Sequence, residues 1–392
     1  MLKWKPCLLI LMSVILITGC WDKVEIDKRA FVVAMAIDKF EAPKEKEKQE
    51  KGKPQKPSDT ARNRYTITYA FPNTATLAGK GEGGEPKFVY AATGLDIFNI
   101  ERSIRMRLAP SLAFGHTKVI VVGDDLAKDE KLMRETLDIV ERIPQVGRKL
   151  NFLVTSGKAQ DILKTSPTVD PQIGIFIRDL MDQSKRITAR IPDADLGYIL
   201  RSLHESKVAI APRVLSTEDG VIVAGAAVLK DYKRVGWLGE IETKALMFMM
   251  DKLNSTEVTV KIDEILIPCE ITDSETKMKV FEEEGTIYTR FEITGEGDVN
   301  QHLFGVINQP LDNEYLQSIE KELNTKIKQF ITSTHKKIQK DFGTDLVQAG
   351  EYLRKHEPKL WEKVREDWEE IYPETEVQVS VDIKIRRVGV TQ

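Results

Sequence analysis

The sequence predicts an α/β (α+β) multidomain protein, in which helices pack on mixed β-sheets and a lipid anchors the chain to a membrane. Three observations predict this class. Short β-branched segments alternate with amphipathic segments through the first half of the chain. A long amphipathic segment and a strictly alternating one stand near the C-terminus. An apolar N-terminal segment ends in a cysteine.

Residues 1–19 have the pattern of a bacterial lipoprotein signal peptide. Two lysines precede an apolar run, and Ile17-Thr18-Gly19 leads directly into Cys20. The run from residue 7 to residue 17 is too short to cross a bilayer, which takes about 20 apolar residues. A plain secretory signal, which is the alternative, does not require cysteine at the cleavage position. We therefore predict that Cys20 carries a lipid that holds the mature chain at the membrane surface.

The composition argues against nucleic-acid binding and against a disulfide framework. The net charge of -3 provides no basic field for nucleic acid. Cys7 leaves with the signal peptide and Cys20 takes the lipid, so Cys269 has no cysteine with which to form a disulfide. Because Cys269 lies in an apolar stretch, we expect a buried, inert thiol.

The first elements are predicted to form a hairpin with a long loop. Residues 31–37 are a continuous apolar run, typical of a buried central strand, and residues 65–71 resume strand character. Residues 41–64 between them are rich in Lys, Glu and Pro, and we expect a disordered, solvated loop there. A weak contact of this loop with anionic lipid is the alternative.

Strands and helices then alternate, as in a domain with helices packed on a sheet. The pattern predicts helices at 94–108, 124–143, 159–163, 171–186, 193–206 and 240–253. It predicts strands at 116–123, 149–155, 208–215 and 221–229. The turn Glu218-Asp219-Gly220 joins the last two strands.

The C-terminal part repeats the combination of sheet and helix. Strands are predicted at 258–262, 286–293 and 377–385, with helices at 313–342 and 358–371. We expect an N-terminal α/β domain at 20–207 and a C-terminal α+β domain at 208–392. A small middle domain at about 166–240 is an alternative division.

The search for catalytic, cofactor and metal motifs predicts none of these sites. Gly79-Lys80-Gly81 lacks the spacing and the Ser/Thr of a phosphate loop, and no G-x-S-x-G elbow is present. The five histidines are not spaced as helical metal ligands, so we expect exposed or hydrogen-bonded histidines. A metal site formed by histidines that meet only in the tertiary fold is the weaker alternative. The histidines are His116, His204, His302, His335 and His356.

Two tryptophans fall on one face of the last predicted helix. Trp361 and Trp368 are seven residues apart, which is two helical turns. We expect them to pack in the core, and a stripe that binds a partner is the alternative.

Several motifs together resemble one family. Cys20-Trp21-Asp22 and the strand ending in Asp38-Lys39 are similar to the mature N-terminus of the Ger(x)C family, the lipoprotein C subunits of spore germinant receptors. Further matches are 116–118, 225–228, Val235-Gly236-Trp237-Leu238, 341–343, Pro358, Trp361, Trp368, Pro373 and the final strand. Asp345-Leu346 departs from the Gly-rich continuation usual after Phe-Gly, and the loop after Lys39 is longer than usual.

The resemblance implies a function. It implies a non-enzymatic lipoprotein subunit on the outer face of the spore inner membrane, acting with membrane-embedded A and B subunits. Such a complex senses nutrients and triggers germination, and the C subunit serves its assembly or signalling. A lipid-anchored protein that itself binds a small nutrient, in a cleft between two domains, is the alternative hypothesis.

Overall fold

A computed structural model describes residues 28–41, 63–77, 79, 84–187, 191–253, 255–300 and 313–387. Cys20, residues 42–62 of the predicted loop and His302 lie outside these residues. Of the helices in the described ranges, none has both the length and the apolar character needed to cross a membrane.

The first part of the chain forms a sheet of eight strands and a small sheet of two strands beside it. The strands of this part are β1 Arg29–Phe31, β2 Ala34–Lys39, β3 Tyr65–Pro72, β4 Lys87–Gly94, β5 Ser111–Ala113, β6 Val119–Val122, β7 Asn151–Thr155, β8 Val208–Thr217, β9 Gly220–Lys230 and β10 Lys233–Leu238. The large sheet has the order β10-β9-β8-β7-β6-β2-β3-β4, and β1 pairs with β5 beside it. Strands β2, β6, β7 and β8 are parallel, and the outer pairs are antiparallel.

Helices cover both faces of this sheet. They are α1 Thr74–Leu77, α2 Ile97–Arg105, α3 Asp124–Ala127, α4 Glu130–Arg142, α5 Ala159–Lys164, α6 Ile173–Ile187 and α7 Leu196–Glu205. Met35 and Ile37 of β2 join the core under α2, α4 and α7, whereas Ala34 and Ala36 join the core under α5 and α6. Burial on both faces explains why this strand is a continuous apolar run in the sequence.

The predicted helix at 124–143 is two helices. The Asp129 carboxylate accepts the Leu132 N–H at 3.1 Å, so it caps a new helix, α4. Asp96 and Asp195 cap α2 and α7 in the same way, with bonds of 2.8 and 2.7 Å to backbone N–H groups. Short polar side chains therefore set where these helices begin.

A sheet of four strands forms the second part. Helix α8, Glu240–Met249, leads into β11 Thr256–Ile262, β12 Ile265–Glu283, β13 Thr286–Val299 and β14 Glu376–Arg387, in the order β11-β12-β13-β14. Helix α9, Asn313–Lys336, packs on one face, ends in a π-helical turn at Lys337–Asp341, and is followed by α10 Ala349–His356, α11 Pro358–Val364 and α12 Trp368–Ile371. Burial alternates along β13, and the described residues form no hydrophobic core on the other face.

The structure confirms the predicted class of mixed sheets with packed helices. Strands β4, β5, β10 and β12 and helices α1 and α10 were not predicted, and the helix predicted at 358–371 is broken into α11 and α12. We propose that the chain divides into one unit on each sheet. Strand β8 pairs with β7 although it begins just after the expected boundary at 207, and the alternative middle domain would comprise α6, α7 and β8–β10.

Candidate functional site

The two units meet where the end of α9 packs on β10. The Lys337 ammonium donates to the Trp237 carbonyl at 3.1 Å and to Glu242 Oε1 at 2.7 Å. Lys230 donates to the Gly343 carbonyl at 2.9 Å. Gly236 faces the Phe342 ring so closely that a Cβ at this position would collide with it. We call this contact, formed by residues 230–242 and 337–343, the joint.

A buried ion pair holds β10 to helix α3 within the first unit. Arg234 Nε lies 2.7 Å from Asp124 Oδ1, and both side chains are at most 15% exposed. The guanidinium also lies 4.9 Å from the centre of the Trp237 ring. Removal of one partner from a desolvated ion pair with good geometry lowers stability by several kcal/mol, because the other charge stays buried without a partner. The joint is therefore fixed from both sides.

Next to the joint lies a cleft of about 1260 Å³. Helix α7 and residues 207–208 form one wall, and α10 to α12 form the other. Charges of both signs line it: Arg201, Lys207, Lys230, Lys252, Arg354, Lys355 and Arg365 against Glu205, Glu351, Glu366, Asp367, Glu369 and Glu370. Lys207 and Lys230 lie 3.6 and 3.5 Å from Glu369 across the opening. Exposed pairs of this kind contribute little to stability, so the opening is only loosely held.

Asp345 is the structural centre of the cleft floor. Its carboxylate accepts the N–H groups of Ala349 and Gly350 at 2.8 Å each and the indole N–H of Trp368 at 3.1 Å. Burial raises the pKa of Asp345. Because donors occupy both oxygens, the carboxylate caps α10 and orients Trp368, and it is poorly placed to act as a general base.

An aromatic cluster lies behind this floor. The rings of Trp361 and Trp368 are 5.9 Å apart and edge to face, and Tyr372 packs on Trp368 at 5.6 Å. Trp368 is only 9% exposed, whereas Trp361 is half-buried at the cleft wall. The expected core position therefore holds for Trp368, and Trp361 reaches both the core and the cleft.

His335 lies in the same cluster. It is fully buried beside Phe291 and Tyr372, and its Nε2 lies 3.4 Å from the Tyr372 hydroxyl. Burial lowers the pKa of His335 to about 4. The imidazole is therefore neutral at neutral pH and serves as a polar member of the core.

The other predicted residues do not converge. Cys269 is fully buried, and burial raises the pKa of its thiol to about 11, which fits an inert cysteine. His116 contacts Phe31, His204 lies near Tyr232, and His356 packs on Tyr352, so these three stand apart. Within the described ranges, no group of three or more His, Cys, Asp or Glu side chains is placed to hold a metal.

Sequence reasoning missed a second buried carboxylate. Asp38, at the end of β2, accepts the N–H groups of Ala159 and Gln160 at 2.7 and 2.9 Å and so caps α5. Burial raises its pKa. The signal was the Asp-Lys that ends the first apolar strand. Other motifs behind the family resemblance, 235–238, 341–343, Trp361 and Trp368, meet at the joint and the cleft.

Two family models match the chain. A family model described as "Spore germination protein N-terminal domain" matches residues 22–215. A second, described as "Spore germination B3/ GerAC like, C-terminal", matches residues 224–389. The boundary between the two models falls at the turn between β8 and β9, inside the eight-stranded sheet.

Individual relatives cover nearly the whole chain. Spore germination protein KC of Bacillus subtilis (strain 168) is 25% identical over 98% of this chain and 96% of its own. Spore germination protein B3 of the same organism is 23% identical over 95% of this chain and 94% of its own. The crystal structure of the GerBC protein shares the fold, with a TM-score of 0.59, 20% identity, and coverage of 82% of this chain and 93% of that one. The chain therefore belongs to the Ger(x)C family of spore germination proteins.

Proposed function

We propose that this chain is the lipid-anchored C subunit of a nutrient germinant receptor and that it serves the assembly or signalling of that complex. The observation that carries the proposal is the match of both family models, which extends from residue 22 to residue 389. The lipid on Cys20 holds a folded body of two sheets beside membrane-embedded A and B subunits, on the outer face of the spore inner membrane. Two or more acyl chains hold a protein stably at a bilayer.

The role we propose is non-enzymatic. The buried carboxylates Asp38 and Asp345 use their oxygens as helix caps, and buried His335 lies in an aromatic core. These groups stabilise the fold instead of facing a substrate. The mixed charges of the cleft suit a protein interface, because they give specificity without a strong field of one sign.

Removing the anchor tests the proposal. We expect Cys20→Ala to move the chain from the spore membrane fraction to the soluble fraction and to impair germination by nutrients. Ser13→Ala, inside the signal peptide, is the matched control and keeps both properties. Normal nutrient germination with a fully soluble Cys20→Ala chain would refute the requirement for the anchor.

A second candidate function is binding of a small nutrient in the cleft. The observation that favours it is the cleft itself, whose volume and paired charges can accommodate a small zwitterion. Calorimetry of the mature chain with a panel of nutrients, repeated with Trp361→Ala, tests this candidate. Saturable binding that Trp361→Ala weakens would support it, and no binding across the panel would reject it.

A further inference from the structure

The chain enters the fold at one end of the eight-stranded sheet. Strand β1 pairs in parallel with β5, and Ser111 Oγ donates to the Lys28 carbonyl at 3.4 Å. Ala34 and Val119, the first residues of β2 and β6, are paired, so β1 and β5 extend these strands at their amino ends. We call this region of the sheet the amino end.

Exposed apolar side chains collect at the amino end. Met106 lies between α2 and β5 and is 80% exposed. Leu77 and Phe88 are 56% and 48% exposed, and they lie where β3 ends and β4 begins. Because Pro72 pairs with Lys87 and Ala70 pairs with Ala34, this corner is at the same end of the sheet as the start of β2.

The same end is basic, although the whole chain has a net charge of -3. Residues 28–33, 84–88 and 97–118 contain seven lysines and arginines and two acids, Glu85 and Glu101. Glu101 pairs with Arg105 at 2.5 Å. Arg29, Arg102 and Arg107 are exposed, and none of them forms an ion pair with another described residue. Their charges are therefore available to an anionic partner.

The tether limits where this end can lie. Eight residue steps separate Cys20 from Lys28, so a fully extended connection reaches at most about 29 Å. A lipid on Cys20 keeps the amino end within that distance of the bilayer. Glu41 and Asn63, which border the Lys/Glu loop, lie at the opposite end of β2 and β3.

We propose that the amino end of the eight-stranded sheet is a membrane-docking face that binds the anionic phospholipid surface. Met106, Leu77 and Phe88 enter the headgroup region, and Arg29, Arg102 and Arg107 attract phosphate groups. Basic side chains near a bilayer supplement a lipid anchor in this way. The inference rests on the proposed attachment through Cys20, and it adds an orientation: the ends of β2 and β3 at Glu41 and Asn63 face away from the bilayer.

Depth measurement tests the proposal on the lipidated chain. Cys20 carries the lipid and Cys269 is fully buried, so a cysteine introduced on the surface takes an environment-sensitive fluorophore. The probe position is Met106→Cys. The matched control is Leu95→Cys, because Leu95 is 43% exposed and precedes the other end of the same helix. The labelled chains are placed in phosphatidylcholine vesicles with and without phosphatidylglycerol, each containing a nitroxide-labelled lipid as quencher.

We expect several-fold stronger quenching at position 106 than at position 95 in vesicles that contain phosphatidylglycerol. Replacing Arg29, Arg102 and Arg107 together by Gln should remove this difference. The same number of replacements at Lys261, Lys277 and Lys355, which are exposed elsewhere, should preserve it.

Equal quenching at the two positions, or stronger quenching at 95, would overturn the docking face. Persistence of the difference after the triple arginine replacement would overturn the electrostatic part of the proposal. Mass spectrometry of the vesicle-bound chain reports lipidation independently. A lipidated chain without preferred depth therefore rejects this inference alone and leaves the receptor function standing.

Discussion

The two sheets of this chain differ in how they are covered. Both faces of the eight-stranded sheet carry a hydrophobic core, to which neighbouring residues of one strand contribute alternately. The four-stranded sheet has one core under α9, and its other face carries polar contacts such as Lys279 with Glu292 at 3.7 Å. A sheet covered on both faces favours continuous apolar runs in its central strands, whereas a sheet covered on one face favours alternation of apolar and polar residues.

The two sheets therefore leave different amounts of surface open to binding partners. The covered sheet fixes the joint, the amino end and the buried cap at Asp38. The half-covered sheet leaves a face and a cleft wall open beside α10 to α12. We infer that the first unit determines position relative to the membrane and that the second offers surface for partner subunits.

Truncation of two adjacent core residues in the doubly covered sheet should give the largest losses of stability. Phe152 and Leu153 of β7 are fully buried on opposite faces. We expect Phe152→Ala to lower the free energy of unfolding by about 3–5 kcal/mol and Leu153→Ala by about 2–5 kcal/mol. Urea unfolding of the mature chain measures both.

The matched pair in β13 should give an unequal result. Phe291 is fully buried, whereas Glu292 lies on the open face. Phe291→Ala should cost about 3–5 kcal/mol, and Glu292→Ala should change stability by no more than about 0.5 kcal/mol. Similar losses at both positions would show that the second sheet is covered on both faces.

Acid should act on the second core through His335. The pKa of this imidazole is lowered from 6.5 to about 4 by burial, so the folded chain holds it neutral while the unfolded chain protonates it first. Its contribution is complete above about pH 6.5 and decreases as the pH falls towards 4, by about 3 kcal/mol in total. His335→Met should remove this part of the pH dependence. His116→Gln, an exposed control, should retain it, and an unchanged pH dependence in His335→Met would contradict the assignment.

The joint should respond to one added methyl group. Gly236→Ala forces its Cβ against the Phe342 ring, and we expect a loss of about 1–3 kcal/mol. Combining it with Phe342→Leu should recover part of that loss. Gly147→Ala, where nothing lies within 4 Å of the added atom, should be close to neutral. If Gly236→Ala lowers the stability equally in the wild-type and Phe342→Leu backgrounds, the predicted collision with the Phe342 ring is disproved.

The cleft should give the smallest effect on stability. Glu369→Gln removes the partner of Lys207 and Lys230, whose side chains are 62% and 25% exposed. Because exposed ion pairs contribute about 0–1 kcal/mol, we expect a change within that range. Thermal unfolding measures it, and a loss above about 2 kcal/mol would mean that the cleft is closed by this contact.

The sequence predicts the doubly covered sheet better than the other one. Strand β6 and the apolar segments 34–37 of β2 and 152–154 of β7 are continuous apolar runs, because both of their faces are buried. Strand β12 was missed, because its second half bears mostly exposed polar side chains. Strand β4 is an edge strand with mixed burial and has the same weak signal. Pairing could not be predicted, since β13 and β14 are adjacent in the sheet but separated by 76 residues in the chain.

The candidate site was only partly visible in the sequence. Motifs such as Gly236-Trp237 and Phe342-Gly343 were noted, but not that they meet at the joint. Asp345 appeared only as a departure from a pattern, because burial and three donors depend on how α10 and α12 fold back on each other. Contacts of this kind are set by tertiary packing, which one sequence does not encode in a local pattern.

Isolation of the tagged chain from spore membranes tests the central claim most directly. After mild solubilisation, we expect an A-type and a B-type receptor subunit to be recovered with the chain that carries Cys20. The amount should fall sharply with Cys20→Ala and stay the same with Ser13→Ala. Recovery of the lipidated chain without either subunit would contradict the proposal that it is a component of a germinant receptor.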